Sequence, residues 1–264
     1  MKTAAGQTSD QEPAAPAPRR HAVADLLCNA LALAIAAGLA TLAIGIADGT
    51  ASGTTRLLAV VALPALLSPL LGEPGATRLA TLPAHVLAWA LGTSLLASTV
   101  WLAAGGWPPS HSIVPSLFAL GLVVTARLAT IVASAVLRNS SMADAAADEW
   151  ARWLAAAMLW LLAAAPLWLG PLADLQAREG TDAAEAIVAA SPLVHLGLAT
   201  GQDVLRTQWF YANSSLGSLQ FDYPSLTSVA LGYACAAAVL ALLAVGFARR
   251  DAAATPAVHA SSPN

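Results

Sequence analysis

The sequence predicts an all-α polytopic membrane bundle of six transmembrane helices, with a long extracytoplasmic loop that contains a re-entrant or interfacial helix. Three observations carry this expectation. Of 264 residues, 58% are hydrophobic and only 10% charged, whereas a soluble domain carries about a quarter charged residues. The few charges sit mostly between long apolar runs. Those runs are built of Ala and Leu without the period-two alternation of a transmembrane strand, so each satisfies its own backbone polar groups as a helix.

Residues 1–20 are rich in Ala, Pro, Ser, Gln and Thr and close on Arg19-Arg20, the composition of a disordered cytoplasmic tail. Residues 21–250 form the membrane domain, and 251–264 a second tail. The first span, Leu26 to Ala47, is uncharged for 22 residues, enough to cross the hydrocarbon core and too long for the core of a signal peptide. The second, Leu57 to Gly72, is short and interrupted by Pro64 and Pro69. The third covers Ala84 to Ala104, the fourth Ile113 to Leu137, the fifth Trp153 to Leu172 and the sixth Ser225 to Ala248. Residues 173–224 form the one long connection.

Positive charge sets the orientation. With alternating spans, Arg19, Arg20, Arg78, Arg138, Arg152, Arg249 and Arg250 fall on one side, against Arg56, Arg178 and Arg206 on the other. Both termini are therefore expected inside and the long loop outside, and the expected location is a bacterial cytoplasmic membrane crossed several times. Within the loop, residues 182–206 read as helical. Asp182 and Glu185 have capping-box spacing, and the apolar positions that follow are interrupted by Ser191-Pro192. So short an apolar stretch favours a re-entrant or interfacial helix over a span. Trp209-Phe210-Tyr211 supplies aromatic rings suited to headgroup depth. With Pro192 they are candidates for an outer gate; the alternative is a cap that packs on the bundle and has no chemistry.

Most chemistries find no support. The only Lys is Lys2, so no phosphate-binding Gly-Lys-Ser/Thr loop exists in the chain. The five His residues are scattered and the two Cys, Cys28 and Cys235, lie singly in apolar runs, so neither a metal nor a cofactor is expected. No basic run suggests nucleic acid. Ser94 and Ser98, at i,i+4 in the third span, could serve an intramembrane enzyme, but hydroxyls there usually pack and hydrogen-bond.

Two features remain. Arg127 lies inside the fourth span, with fourteen uncharged residues before it and ten after. It sits about 16 Å along the helix from Arg138, near mid-membrane. A charge at that depth needs a partner or water, so it either faces a polar pathway or pairs with a neighbouring helix. Trp150, Trp153, Trp160 and Trp168 fall within one sector of about 80° on a continuous helix. They form a lipid-facing or packing stripe, or else a substrate path or subunit interface, with Trp160 and Trp168 as the pathway candidates.

The joint between the second and third spans, Leu-Gly-Glu-Pro-Gly-Ala-Thr-Arg-Leu-Ala-Thr-Leu-Pro-Ala-His-Val-Leu-Ala-Trp-Ala-Leu-Gly (71–92), resembles that of permease subunits of type-2 ABC exporters. Gly75-Ala76-Thr77, Leu79 to Pro83 and Gly92 stand where that family has a turn, a Leu-x-x-x-Pro step and a Gly-containing helix start. Residues 133–140, 246–251 and Ser191-Pro192-Leu193 are similar to further stretches of it, while Thr93 stands where the family carries Lys. The resemblance implies an ATP-binding partner subunit docked near Glu73, Arg78, Pro83 and His85. It also implies a homodimer or heterodimer of permeases enclosing a path in the lipid, with ATP hydrolysis in the partner chain. The alternatives are a structural or assembly subunit, in which the acidic cytoplasmic loop around Asp144, Asp148 and Glu149 would matter as much as residues 73–85, and an intramembrane enzyme acting on lipid.

Overall fold

The computed structural model describes residues 53–70, 110–176, 182–219 and 221–254, with isolated positions at 79, 82–83, 86–87, 89–90 and 92. The expected first span, the N-terminal tail and most of the third span lie outside the described residues. Among the described residues every regular element is helical.

Helix α1 (Gly53–Leu67) runs through Pro64, so the interruption expected there is absent. It stops before Gly72, the end expected from sequence, because Ser68 and Pro69 convert its last turn: Ser68 Oγ donates to Ala65 O at 2.8 Å, and Leu70 N donates to Leu67 O at 2.9 Å. Helix α2 (Ser110–Asn139) is the central element. Its stretch Ile113–Asn139 is long and apolar enough to cross a membrane. Ser140 N and Ser141 N donate to the carbonyls of Leu137 and Arg138 at 3.1 Å, and Ser141 adopts the left-handed conformation (φ 70°) that ends the helix.

Helix α3 (Asp144–Ala163) corrects the expected fifth span. The acidic stretch expected as a loop forms its first turns, where Asp144 meets the positive end of the helix dipole. The helix then ends early because Pro166 has no N–H to donate. Two short helices follow, α4 (Ala165–Trp168) and α5 (Gly170–Gln176). Trp168 therefore stands on a separate turn from Trp150, Trp153 and Trp160, although its Nε1 reaches back to Leu161 O at 3.0 Å.

In the long connection, α6 (Asp182–Ala190) and α7 (Pro192–Thr200) form a pair bent by 79°. Asp182 and Glu185 both lie in the first turn of α6. The bend follows from Pro192, which holds the preceding Ser191 in an extended conformation (φ −87°, ψ 112°). Together the pair has the length and composition of a broken span or a re-entrant loop, as the apolar pattern around Ser191-Pro192 anticipates. α7 ends at Gly201 (φ 73°), with Gly201 N donating to Leu198 O at 3.1 Å and Gln202 N to Gly197 O at 2.8 Å. Those two bonds close the helix in the Schellman manner.

Helix α8 (Gln208–Asn213) is capped by Thr207, whose Oγ1 accepts from Phe210 N at 3.3 Å, and a 3-10 turn spans Ser215–Ser218. Helix α9 (Leu226–Ala254) starts on Ser225, whose Oγ accepts from Ser228 N at 3.1 Å. Its stretch Leu226–Asp251 is the second helix long and apolar enough to cross a membrane, and little of that stretch is buried. The helix runs on to Ala254, past the expected start of the C-terminal tail.

Two apolar cores result. One joins α1, α2 and α3 through Leu58, Val61, Leu66, Leu122, Val123 and Leu159. The other lies within the cap formed by α4 to α8 and the 3-10 turn, around Ile187, Val188, Val194, Leu205, Phe210 and Leu216. Helix α7 serves both, since Leu196 enters the first core and Val194 the second. One hydroxyl pins the cap to the end of α3 and a second closes the cap on itself. Ser191 Oγ donates to Ala163 O at 3.1 Å, and Ser214 Oγ donates to Pro166 O at 2.7 Å. Both satisfy carbonyls at the break between α3 and α4, where the regular helical ladder is interrupted.

Gly197 is needed at the turn after α7. A Cβ there would meet Val204 Cγ2 at 2.7 Å and the backbone oxygen of Gln202 at 2.8 Å. Gly197→Ala is expected to cost about 2 kcal/mol through this overpacking. Hydrogen exchange should report it as lost protection over 192–205 while α2 keeps its own; unchanged exchange in the cap would refute it.

Candidate functional site

The most unusual chemistry lies where α2 faces α3. Arg127 is 1% exposed although it stands in the middle of the longest apolar stretch of α2. Seven and eleven residues on, Ser134 and Arg138 return to the same face of the helix, within about 20° of Arg127 on either side. Thr130, fully buried, lies beside them and donates to Ala126 O at 2.9 Å. Helix α3 supplies Asp148, 5% exposed, and one turn later Arg152.

Three of these side chains close a network. Ser134 Oγ donates to Asp148 Oδ1. The same hydroxyl accepts from Arg138 Nη2 at 2.7 Å and from Arg138 Nε at 3.1 Å. Arg138 Nη2 also pairs with Asp148 Oδ1 at 2.9 Å. Arg127 lies deeper along the same seam, attracted by the Asp148 carboxylate and repelled by Arg152. One carboxylate on α3 thus serves as the focus for two guanidinium groups of α2, in apolar surroundings where Coulombic interactions act strongly. The arrangement holds charge at a fixed depth between two helices. Among the described residues no group of three His, Cys, Asp or Glu side chains could hold a metal ion.

A second polar contact joins the bent pair to α9. His195 Nε2 lies 3.0 Å from Ala189 O, and its Nδ1 lies 2.9 Å from Tyr233 Oη. A carbonyl can only accept, so Nε2 carries the proton and Nδ1 accepts from the Tyr233 hydroxyl. The two rings meet edge to face at 5.6 Å. Opposite this contact, Tyr233 covers Gly121 of α2.

On the outer surface of the cap, Tyr223 Oη donates to Asp203 Oδ1 at 2.6 Å, and Arg206 Nη1 donates to Tyr211 Oη at 3.0 Å. Partial burial, with the hydrogen bond to the Asp203 carboxylate, pushes the Tyr223 hydroxyl above its usual range. The bond to Tyr211 holds the Arg206 guanidinium above its own.

The residues expected from sequence are distributed as follows. Arg127 lies in the buried seam, whereas Trp160 and Trp168 are 41% and 54% exposed on the outside of the helices. The structure therefore does not bring the three pathway candidates together. Pro192 is buried at the bend, Phe210 is buried in the cap core, Tyr211 is 46% exposed, and Trp209 lies in α8. Pro83 is an exposed helical position. Glu73, Arg78 and His85 lie outside the described residues.

Asp148 is the residue the sequence reading misplaced, as part of a solvated acidic loop. A signal was present: Asp148 and Arg152 are one turn apart, as are Ser134 and Arg138, and Ser134 is two turns from Arg127. No family model, no curated protein and no solved structure matches the chain.

Proposed function

We propose that the chain is the non-catalytic permease subunit of an ABC-type exporter, moving substrate across the membrane with energy from a separate ATPase chain. The observation that carries this reading is Arg127, a guanidinium buried at the centre of an apolar helix and drawn to a carboxylate on the next one. Ionisable groups at that depth are costly and mark polar pathways or the elements that move around them. The bent pair α6–α7 supports the same reading, because broken helices inside a membrane persist where they line or gate a path. The similarity of residues 71–92 to the exporter joint supplies the docking region, around Arg78 and Pro83.

In this reading the chain has six spans, with both termini on the cytoplasmic side of a bacterial cytoplasmic membrane. The cap of α4 to α8 then faces outward as a gate, and two permeases enclose the path. ATP binding draws the cytoplasmic ends of the two permeases together, and the Ser134–Arg138–Asp148 network transmits that movement to Arg127. A second reading, an assembly subunit that carries nothing across, draws support from the outer face of α3, where Trp150 and Trp153 are each 57% exposed and available to a partner.

Purification of the tagged chain from its native membrane in mild detergent separates the two. The exporter reading expects an ATPase subunit in near-equal amount, lost on Arg78→Glu, with transport by reconstituted vesicles falling at least tenfold. Co-purification of an unrelated membrane complex, unchanged by Arg78→Glu, would replace it with the assembly reading.

A further inference from the structure

The cap holds a feature that has no part in the buried seam. Between α5, α8 and the turn that follows α8 lies a groove of about 560 Å3, lined by Pro171, Asp174, Leu175, Tyr211, Asn213 and Ser215, among others. That volume falls within the roughly 300–1,000 Å3 of small-molecule sites. Its floor is fixed. Ser214 Oγ is bound on both sides, donating to Pro166 O at 2.7 Å and accepting from Leu216 N at 3.3 Å. Gly170 is packed so closely beneath it that a Cβ would lie 2.5 Å from that oxygen.

The chemistry of the lining is one-sided. Among the described residues Asp174 is the only charged one in the lining, and the carboxylate belongs to an exposed side chain. Tyr211 presents a half-exposed ring whose orientation is held by Arg206, 3.0 Å from the hydroxyl. Amide and hydroxyl groups of Asn213, Ser214 and Ser215 complete the polar side. Beside them, on α5, Leu172 and Leu175 are 50% and 75% exposed, a strip of apolar surface that water alone would not favour.

We infer that this groove takes the amine-bearing head of an amphiphile. The ammonium pairs with the Asp174 carboxylate and lies against the Tyr211 ring, and the acyl chain runs along Leu172 and Leu175. An ammonium gains from both the carboxylate and the aromatic face. A head that is only anionic meets the Asp174 carboxylate and, among the described residues of the lining, no cation; an uncharged polyol makes no use of that charge. The site needs the cap to lie at a membrane surface and does not depend on transport.

The test is titration of the full chain, followed by native mass spectrometry, with dioctanoyl phosphatidylethanolamine, dioctanoyl phosphatidylglycerol and free ethanolamine. The ethanolamine lipid should bind at least tenfold tighter than the glycerol lipid. Asp174→Asn should remove most of that preference, Tyr211→Leu should weaken it several-fold, and free ethanolamine should bind at least a hundredfold more weakly than the lipid. Should either variant fail to fold, a photoactivatable amine-headed lipid on the unaltered chain should label residues 170–176 and 211–215. Equal binding of the two lipids, a preference that survives Asp174→Asn, or labelling elsewhere would overturn the site. Free ethanolamine binding as tightly as the lipid would overturn the amphiphile.

Discussion

Asp148→Ala should lower the stability of the bundle by about 3 kcal/mol, the cost of removing one partner from a buried ion pair. Asp148 accepts from both Ser134 and Arg138, so its loss leaves a buried hydroxyl and the Arg138 guanidinium without that acceptor. It also removes the attraction on Arg127 while the repulsion from Arg152 remains. Asp148→Asn should cost less, since an amide oxygen still accepts a hydrogen bond but no longer balances charge. Thermal unfolding of the purified chain in one fixed lipid nanodisc measures both. The Arg138 side chain is 28% exposed, so the pair could in principle behave as a surface bridge worth less than about 1 kcal/mol. Equal unfolding temperatures for the parent and Asp148→Ala would show that it does, and would remove the seam from the account of the fold.

Arg127→Leu is expected to act in opposite directions on insertion and on function. As an isolated segment, residues 110–139 should insert more favourably by roughly 2.5–3.5 kcal/mol, the penalty of a central Arg. In the assembled protein the same change removes the charge that Asp148 holds at the centre of the seam. Transport in reconstituted vesicles should then fall at least a hundredfold while the protein still elutes as a folded particle. Arg127→Lys should insert like the parent and recover only part of the transport, because an ammonium cannot reproduce the planar array of donors. Full transport by Arg127→Leu would make the residue a structural pair and would withdraw the main support for the permease reading.

These expectations show how differently the two parts of the molecule were written in the chain. The apolar lengths of α2 and α9 were legible because a helix that crosses lipid must be apolar along its whole length, and composition reports that directly. The bend at Ser191 was legible too, because Pro192 acts on its own neighbour through local sterics. The extent of α3 was not. Its N-terminal turns carry Asp144, Asp148 and Glu149, and by hydropathy alone acidic residues beside an apolar run read as a solvated loop. Within that helix Asp148 is bound by Ser134 and Arg138 across the interface with α2, partners 14 and 10 positions away.

The tryptophan stripe illustrates the same limit. Four Trp residues share a sector only if the helix is continuous, and Pro166 ends that continuity before Trp168. The sequence by itself determined the helical class, the two long apolar helices and the interruption at Ser191-Pro192. Each of these rests on backbone hydrogen bonding or on hydropathy summed along one segment. Only the tertiary structure decided that Arg127 and Asp148 belong to one seam, that Phe210 is buried beside an exposed Tyr211, and that Ser191 ties the cap to the end of α3. Those outcomes depend on which faces meet, and a buried charge or a free carbonyl chooses its partner only once the neighbouring helix is in place.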